Sequence, residues 1–284
     1  MQGITEFDSD TGIHVLELHY SADPDKRSPE WEREARQGLS DRQFRQEYGL
    51  DWTVSSGLPI YAEDFVPDWH VASEPLLWDK LRPVVRGWDL GATHQLPACI
   101  WLQTDAMGRV NVLRELVTWD GRSEMRAMTM GTFAEAVLLE STQCFPGAEW
   151  VDYSDPSAWT KATVGKDARS CVDDLADLRI YPRRGPVTFT DRKDNVIKLL
   201  RGAIGGRPKF LLDPRCHMLR EGFQGAYKYE ELGQTGRYKA CADQNAWAHP
   251  MSALEYGLGG LYVMPSRERE TRKTKYKRDR ATGY

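Results

Sequence analysis

Three stretches of this chain carry residues whose types and spacing suit phosphodiester chemistry. The first is Arg82-Pro-Val-Val-Arg-Gly-Trp-Asp-Leu-Gly91, an apolar run that ends on the carboxylate of Asp89. A strand of that composition is mostly buried, and an unpaired charge there is costly, so a cation, a metal or a hydrogen-bond network must compensate it. The second is Trp150-Val-Asp-Tyr-Ser-Asp-Pro-Ser-Ala-Trp159, where Pro156 fixes the chain just past a strand and orients Asp155. On alternation Asp152 shares a face with Ser154 rather than with Asp155. The third is the segment 242–258, which holds Asp243, His249, Ser252 and Glu255. Two or three carboxylates gathered from such places can hold two Mg²⁺ or Mn²⁺ ions ~3.5–4 Å apart, activate a water and stabilise a leaving oxygen. Each stretch also has a plain structural reading. Asp-Leu-Gly and Asp-Pro form turns, and His249 near a helix start is a cap or a hydrogen-bond partner. Trp247, Met251, Leu254 and Leu258 follow helical spacing and read as core.

The elements that would position these groups follow from periodicity. Residues 82–88, 98–103 and 110–116 read as three strands of a β-meander, the last two joined through a Gly-containing turn. Helix is expected over 123–141, strand over 149–154, helix over 167–178 and a short strand over 179–181. A helix over 191–202 with Asp191 as N-cap, a strand over 209–213 and an amphipathic helix over 245–259 complete the pattern. A meander followed by alternating helix and strand is the order of an α/β, RNase H-like mixed β-sheet flanked by helices. That order puts Asp89 on the first strand and Asp155 after the fourth. Upstream, the chain is polar and irregular. A strand over 12–20, short helices over 30–37 and 40–48 (Ser40 as N-cap) and an extended stretch over 57–62 are expected there.

The 284 residues are 40% hydrophobic and include ten tryptophans, ample for a core. The net charge of −4 is unevenly spread. The tail 265–284 carries eight Lys/Arg against three acidic residues, a net of +5, so the remainder carries −9. Such a tail suits a polyanion, and equally a solvated end. The cysteines Cys99, Cys144, Cys171, Cys216 and Cys241 are odd in number and lack zinc-ligand spacing, which points to reduced thiols in a cytosolic setting. No signal-peptide core and no apolar run of ~18 residues occurs, so no membrane partner is expected. No Gly-x-x-x-x-Gly-Lys-Ser/Thr loop is present either.

Four motifs, in order, resemble one family. They are Trp31-Glu…Gly38-Leu-Ser-Asp-Arg-Gln-Phe-Arg-Gln-Glu-Tyr48 with Gly57-Leu-Pro-Ile-Tyr61; Gly87-Trp-Asp-Leu-Gly91; Tyr153-Ser-Asp-Pro-Ser-Ala158; and His249-Pro-Met-Ser-Ala-Leu-Glu-Tyr256. From about Ser28 to Tyr262 the chain resembles the nuclease domain of a tailed-bacteriophage terminase large subunit, the DNA-packaging motor. The resemblance implies a metal-dependent endonuclease that cuts double-stranded phage DNA during packaging, in the cytoplasm of the infected host. It implies Mg²⁺ or Mn²⁺ as cofactor, and as partners double-stranded DNA, an ATPase domain or subunit, the portal and the small terminase subunit. It divides the chain into the end of an ATPase domain and its linker (1–75), an RNase H-like nuclease domain (76–264) and a flexible basic tail (265–284). Asp89 and Asp155 fall on the family's metal-binding and catalytic positions. The family has a carboxylate where this chain has Ser252. Asp243 is the expected substitute as third catalytic and metal-binding residue, Glu255 the alternative to it, and without either the second ion is weakened. Two rivals stand beside the endonuclease: a catalytically weak DNA-binding or motor-docking module, favoured by Ser252, and another RNase H-like nuclease such as a resolvase, disfavoured by the Gly57–Tyr61 segment.

Overall fold

A computed structural model describes residues 3–8, 14–36, 44, 48, 57–90, 96–118, 129–161, 169–232 and 237–273, with side chains through residue 261 of the last helix. Gly91, most of the expected helix 40–48 with its Ser40 cap, the start of the helix expected from 123, and residues 274–284 of the basic tail lie outside them. The chain divides into two units, residues 1–56 and 57–284.

In the first unit, β1 (Ile4–Asp8) and β2 (His14–Leu18) form an antiparallel pair. Helix α1 (Pro29–Ala35) starts on Pro29, with the Ser28 hydroxyl accepting from the Trp31 amide at 3.1 Å. Proline costs nothing at that position, because its missing N–H would have had no helical partner. Tyr20 stacks on Trp31, and Phe44 and Tyr48 pack edge-on or tilted against the same group.

The second unit begins with the short helix α2 (Pro67–His70) and is organised by a sheet. Its strands are β3 (Val84–Asp89), β4 (Ala98–Thr104) and β5 (Val110–Val117), then β6 (Trp150–Ser154) and β7 (Arg183–Arg184). Helix α3 (Met130–Cys144) lies between β5 and β6 in sequence, and α4 (Cys171–Asp177) between β6 and β7. Helix α5 (Phe189–Leu200) is followed by the hairpin β8 (Ala203–Ile204) and β9 (Arg207–Pro208), then β10 (Phe210–Leu212) and α6 (His217–Glu221). A second hairpin, β11 (Tyr229–Glu231) and β12 (Tyr238–Ala242), leads into the long α7 (Ala248–Lys273).

The sheet order is β10-β5-β4-β3-β6-β7. The meander β3–β4–β5 is antiparallel, while β6 and β7 run parallel to β3 and β10 parallel to β5. This is the mixed α/β, RNase H-like sheet that the strand pattern predicts, with β10 added at the far edge. Each face carries a core. Val84, Trp88, Cys99, Trp101 and Leu113 meet Phe133, Ala134 and Val137 of α3 and Leu175 of α4. Val85, Ile100, Leu102, Val112 and Phe210 meet Val196 and Leu199 of α5 and Met251, Leu254 and Leu258 of α7. The apolar stripe read from residues 247–258 is thus core, with Trp247 at its margin.

Some boundaries differ from those expected. The segment 57–75, expected with the upstream linker, is built into the second unit: Tyr61 and Phe65 are buried there, and Ile60 donates to the Tyr227 carbonyl at 3.1 Å. Helix α5 starts earlier than expected, capped by Thr188, whose hydroxyl accepts from the Asp191 amide at 3.4 Å. Asp191, expected as the cap, sits three residues in, and its carboxylate accepts from the Thr188 hydroxyl. Helix α7 outruns its expected end and continues through Lys273.

Candidate active site

Strand alternation sorts the acidic residues. Val85, Gly87 and Asp89 of β3 point to the α7 face, as do Val151 and Tyr153 of β6. Asp155, one step past β6, continues that face. The register pairs Trp88 with Ser154, so Asp89 and Asp155 are the next positions on neighbouring parallel strands, and the Asp155 amide donates to the Trp88 carbonyl at 3.4 Å. Asp155 is also the N-cap of the turn Pro156–Trp159 and accepts from the Ser157 amide at 2.5 Å. Burial raises the Asp155 carboxyl above the ordinary range, and the charge of Asp89 adds to this. The Ser157 donors and the Arg192 guanidinium act against it. Like charges side by side favour protonation of one of them, or a bound cation.

Asp152 falls on the opposite face, as alternation requires. There it forms a buried two-pronged pair with Arg86 (2.7 and 2.9 Å) and accepts from the Trp88 indole at 2.7 Å. This group is internally satisfied and belongs to the core beneath α3.

Helix α7 lies across the acid pair because small residues let it. A Cβ on Gly87 would sit 2.1 Å from the Ala253 carbonyl oxygen and 3.0 Å from the backbone of Gly257. Strand and helix backbones therefore touch, which brings the first turn of α7 over the strand ends. His249 lies there, its Nδ1 3.3 Å from Asp89 Oδ2. Sequence pattern assigns His249 only as a cap or hydrogen-bond partner. The signal that points further is its place in the first turn of a helix whose stripe faces β3.

The remaining expected participants have partners of their own. Asp243 precedes α7: its amide donates to the Lys228 carbonyl at 2.9 Å, and its carboxylate accepts from Asn245 Nδ2 at 3.4 Å. Among the described residues no three His, Cys, Asp or Glu side chains stand close enough to hold one ion between them. Asp89, Asp155 and Asp243 therefore do not form a three-carboxylate cluster as placed. Ser252 hydrogen-bonds the Tyr227 phenol. Glu255, one turn on, is fully buried. It accepts from the Tyr61 and Tyr227 phenols at 2.7 and 3.0 Å and pairs with Arg192 at 2.9 Å. Burial raises its carboxyl, against the guanidinium and the two phenols. Arg192 also lies 4.4 Å above the Tyr256 ring. Through this network the segment Gly57-Leu-Pro-Ile-Tyr61 delivers a phenol to Glu255 of α7.

Asp89 and Asp155 are the residues that could hold a hard divalent cation. Such ions take oxygen ligands, and Mg²⁺ is commonly bound through one or two carboxylates with water completing its shell. A cation also offsets the like-charge repulsion that adds to the burial of Asp155.

No family model matches the sequence, and no curated protein matches it. Two solved structures are similar to the chain. The large terminase nuclease domain of bacteriophage SPP1, with bound Mn, shares 13% identity at a TM-score of 0.44, over 70% of this chain and 97% of that one. The large terminase nuclease of thermophilic phage G20c shares 11% identity at a TM-score of 0.43, again over 70% of this chain and 97% of that one. Among the described residues no helix is long and apolar enough to cross a membrane.

Proposed function

We propose that the chain is a divalent-metal-dependent DNA endonuclease acting in phage genome packaging. One observation carries this reading: Asp89 and Asp155 end neighbouring parallel strands of an RNase H-like sheet on the same face, with burial and like charge raising Asp155. A Mg²⁺ or Mn²⁺ ion held by this pair supplies Lewis acidity and water activation for phosphodiester hydrolysis. The protein's own part is to hold the two carboxylates in register, Asp155 by its bond to the Ser157 amide and Asp89 by its strand. His249 Nδ1, beside Asp89, is the group placed to orient that carboxylate or to hand on a proton. The partners that go with this reading are double-stranded DNA, a packaging ATPase, the portal and the small terminase subunit, in the cytoplasm of the infected cell.

The deciding experiment is nicking of supercoiled plasmid with Mn²⁺ and Mg²⁺ by wild type, Asp89→Asn and Asp155→Asn, alongside calorimetric Mn²⁺ binding. Both variants should lose metal binding and nicking by orders of magnitude while remaining folded. A fully active Asp89→Asn protein removes the proposal.

A specific observation favours a second reading, a DNA-binding or docking module with weak catalysis. Ser252 is bonded to Tyr227, Glu255 is committed to Arg192 and two phenols, and Asp243 bonds Asn245. A second ion then lacks a charged ligand. On this reading Mn²⁺, which binds a given site more tightly, supports far more activity than Mg²⁺. Ser252→Asp should raise Mg²⁺-dependent nicking. If it gains nothing while Asp243→Ala is inactive, Asp243 completes the site.

A further inference from the structure

Helix α7 continues along the sheet past His249. Gly87 of β3 meets Ala253 and Gly257, and Gly260 approaches the Tyr153 ring of β6. The helix therefore runs back from the strand ends that carry Asp89 and Asp155 toward the middle of the sheet. Tyr256 lies on its β6–β7 side. A Cβ on Gly185 would stand 2.7 Å from Tyr256 Cδ1, 3.1 Å from its Cβ and 3.2 Å from the Ser154 carbonyl oxygen. Gly185 follows Arg184, the register partner of Ser154, so it is level with Asp155 on the next strand, about 4.8 Å away. Alternation puts Gly185 on the α7 face, which Asp155 shares, and its missing side chain leaves the space that the ring fills. Helical side chains lean toward the N-terminus of their own helix, and here that direction leads to the strand ends. Burial raises the Tyr256 phenol above its ordinary value; Arg192, 4.4 Å over the ring, opposes this, and the charges of Asp155 and Asp89 add to it. Among the described residues nothing hydrogen-bonds the Tyr256 oxygen, and it is not one of the buried oxygens left without a partner, so solvent reaches it. The Tyr61 and Tyr227 phenols, by contrast, are buried and bonded to Glu255.

We propose that the Tyr256 phenol donates a hydrogen bond to a non-bridging oxygen of the phosphodiester presented to Asp89 and Asp155. The inference rests on the nuclease reading and adds a neutral donor to a site whose other charged members are carboxylates. The acid pair repels a phosphodiester, and a hydrogen bond to an anionic oxygen is stronger than one between neutral groups. A donor fixed beforehand at the place where charge gathers in the transition state stabilises it without reorganisation. A phenol does this without the positive charge that would compete with a divalent ion for Asp155.

The test is Tyr256→Phe in the full chain, which removes the oxygen and keeps the ring over Gly185. Single-turnover nicking of supercoiled plasmid in Mn²⁺ should fall by roughly 10²-fold. Binding of a fluorescent 30-base-pair duplex in Ca²⁺ should weaken by roughly 2- to 12-fold. The slope of log K against log salt should stay at its wild-type value, because a neutral donor releases no counterion. Melting temperature and calorimetric Mn²⁺ binding should also stay at wild-type values, which separates a missing phosphate contact from a damaged fold or metal site. Gly185→Ala, which pushes the ring from its place, should slow nicking in wild type but not further in Tyr256→Phe; equal slowing in both overturns the proposal. If wild type nicks DNA, Asp89→Asn does not, and Tyr256→Phe matches wild type, the phenol makes no such contact and the nuclease reading stands. If Tyr256→Phe loses Mn²⁺ binding, the phenol serves the ion and the proposal falls. If wild type neither binds nor nicks DNA, both proposals fall.

Discussion

Adding one methyl group at Gly87 should disrupt the proposed metal site without touching a carboxylate. In Gly87→Ala the new Cβ meets the Ala253 carbonyl oxygen at 2.1 Å, where ordinary contact begins at 3.4 Å, so a gap of roughly 1.3 Å must open. Backbone atoms of Gly257 at 3.0 Å block escape toward the next turn. These neighbours are backbone, so no side chain can swing aside and α7 must move as a body. Overpacking of this kind costs about 1–3 kcal/mol, and a backbone clash lies at the upper end. At roughly 2–4 °C per kcal/mol for a unit of this size, a loss of about 3 kcal/mol lowers the melting temperature by about 6–12 °C. The same displacement carries His249 away from Asp89, now 3.3 Å apart, and shifts Glu255 behind the pair. Mn²⁺ affinity should therefore fall by about tenfold or more in the fraction that remains folded, equivalent to about 1.4 kcal/mol. Scanning calorimetry and Mn²⁺ titration at a temperature well below the transition measure the two effects. Gly131→Ala is the control: its Cβ meets nothing within 4 Å inside α3, and helix propensity predicts no loss or a gain of up to about 1 kcal/mol. A Gly87→Ala protein with wild-type melting and wild-type Mn²⁺ affinity would show that the strand–helix contact does not set the site.

Asp89→Asn should raise the stability of the metal-free protein while abolishing Mn²⁺ binding, since it removes the like charge that, after burial, raises Asp155; urea midpoints with and without Mn²⁺ test this. A carboxyl raised in the folded state holds its proton more tightly than in the unfolded chain, so stability is highest at low pH and is lost as pH rises toward the folded value. Glu115 goes from 4.5 to about 7 through burial, against three backbone donors at the start of α6. Glu115→Gln should therefore flatten the fall in stability between pH 4.5 and about 7, as read by urea unfolding, and an unchanged profile would remove Glu115 as its source. Glu255→Gln should destabilise by about 3–5 kcal/mol if Glu255 is ionised beside Arg192, and Arg192→Met on top of it should recover part of that loss; strict additivity in a double-mutant cycle would refute the coupling. Deleting residues 265–284 should flatten the salt dependence of DNA binding by roughly 0.9 for each phosphate the tail neutralises, without altering Mn²⁺ binding.

Much of the architecture is legible in local pattern. The β-meander, the parallel strand before Asp155 and the closing helix follow from apolar runs of period two and 3.6. Alternation alone separates Asp152 from Asp155, and the pairing of Asp152 with Arg86 bears that out. The two-residue strand β7 falls a few positions beyond its expected place, because a strand that short has no period and is defined only by its hydrogen bonds to β6. The N-cap of α5 lies three residues before its expected place, because Thr188 and Asp191 both have capping side chains and only the backbone distinguishes cap from third residue.

Local pattern is enough to establish that Asp89 and Asp155 end apolar strands, where a carboxylate is costly without a cation, and to establish which face of each strand looks inward. What stands opposite them is settled by packing. How far α7 slides over the sheet depends on the contact of Gly87 with Ala253 and Gly257, residues far apart in the chain. That contact puts His249 beside Asp89, and sends Glu255 to Arg192, Tyr61 and Tyr227. Periodicity sets the direction of a side chain relative to its own element. The register between two elements is a property of their packed surfaces, and no single segment encodes it.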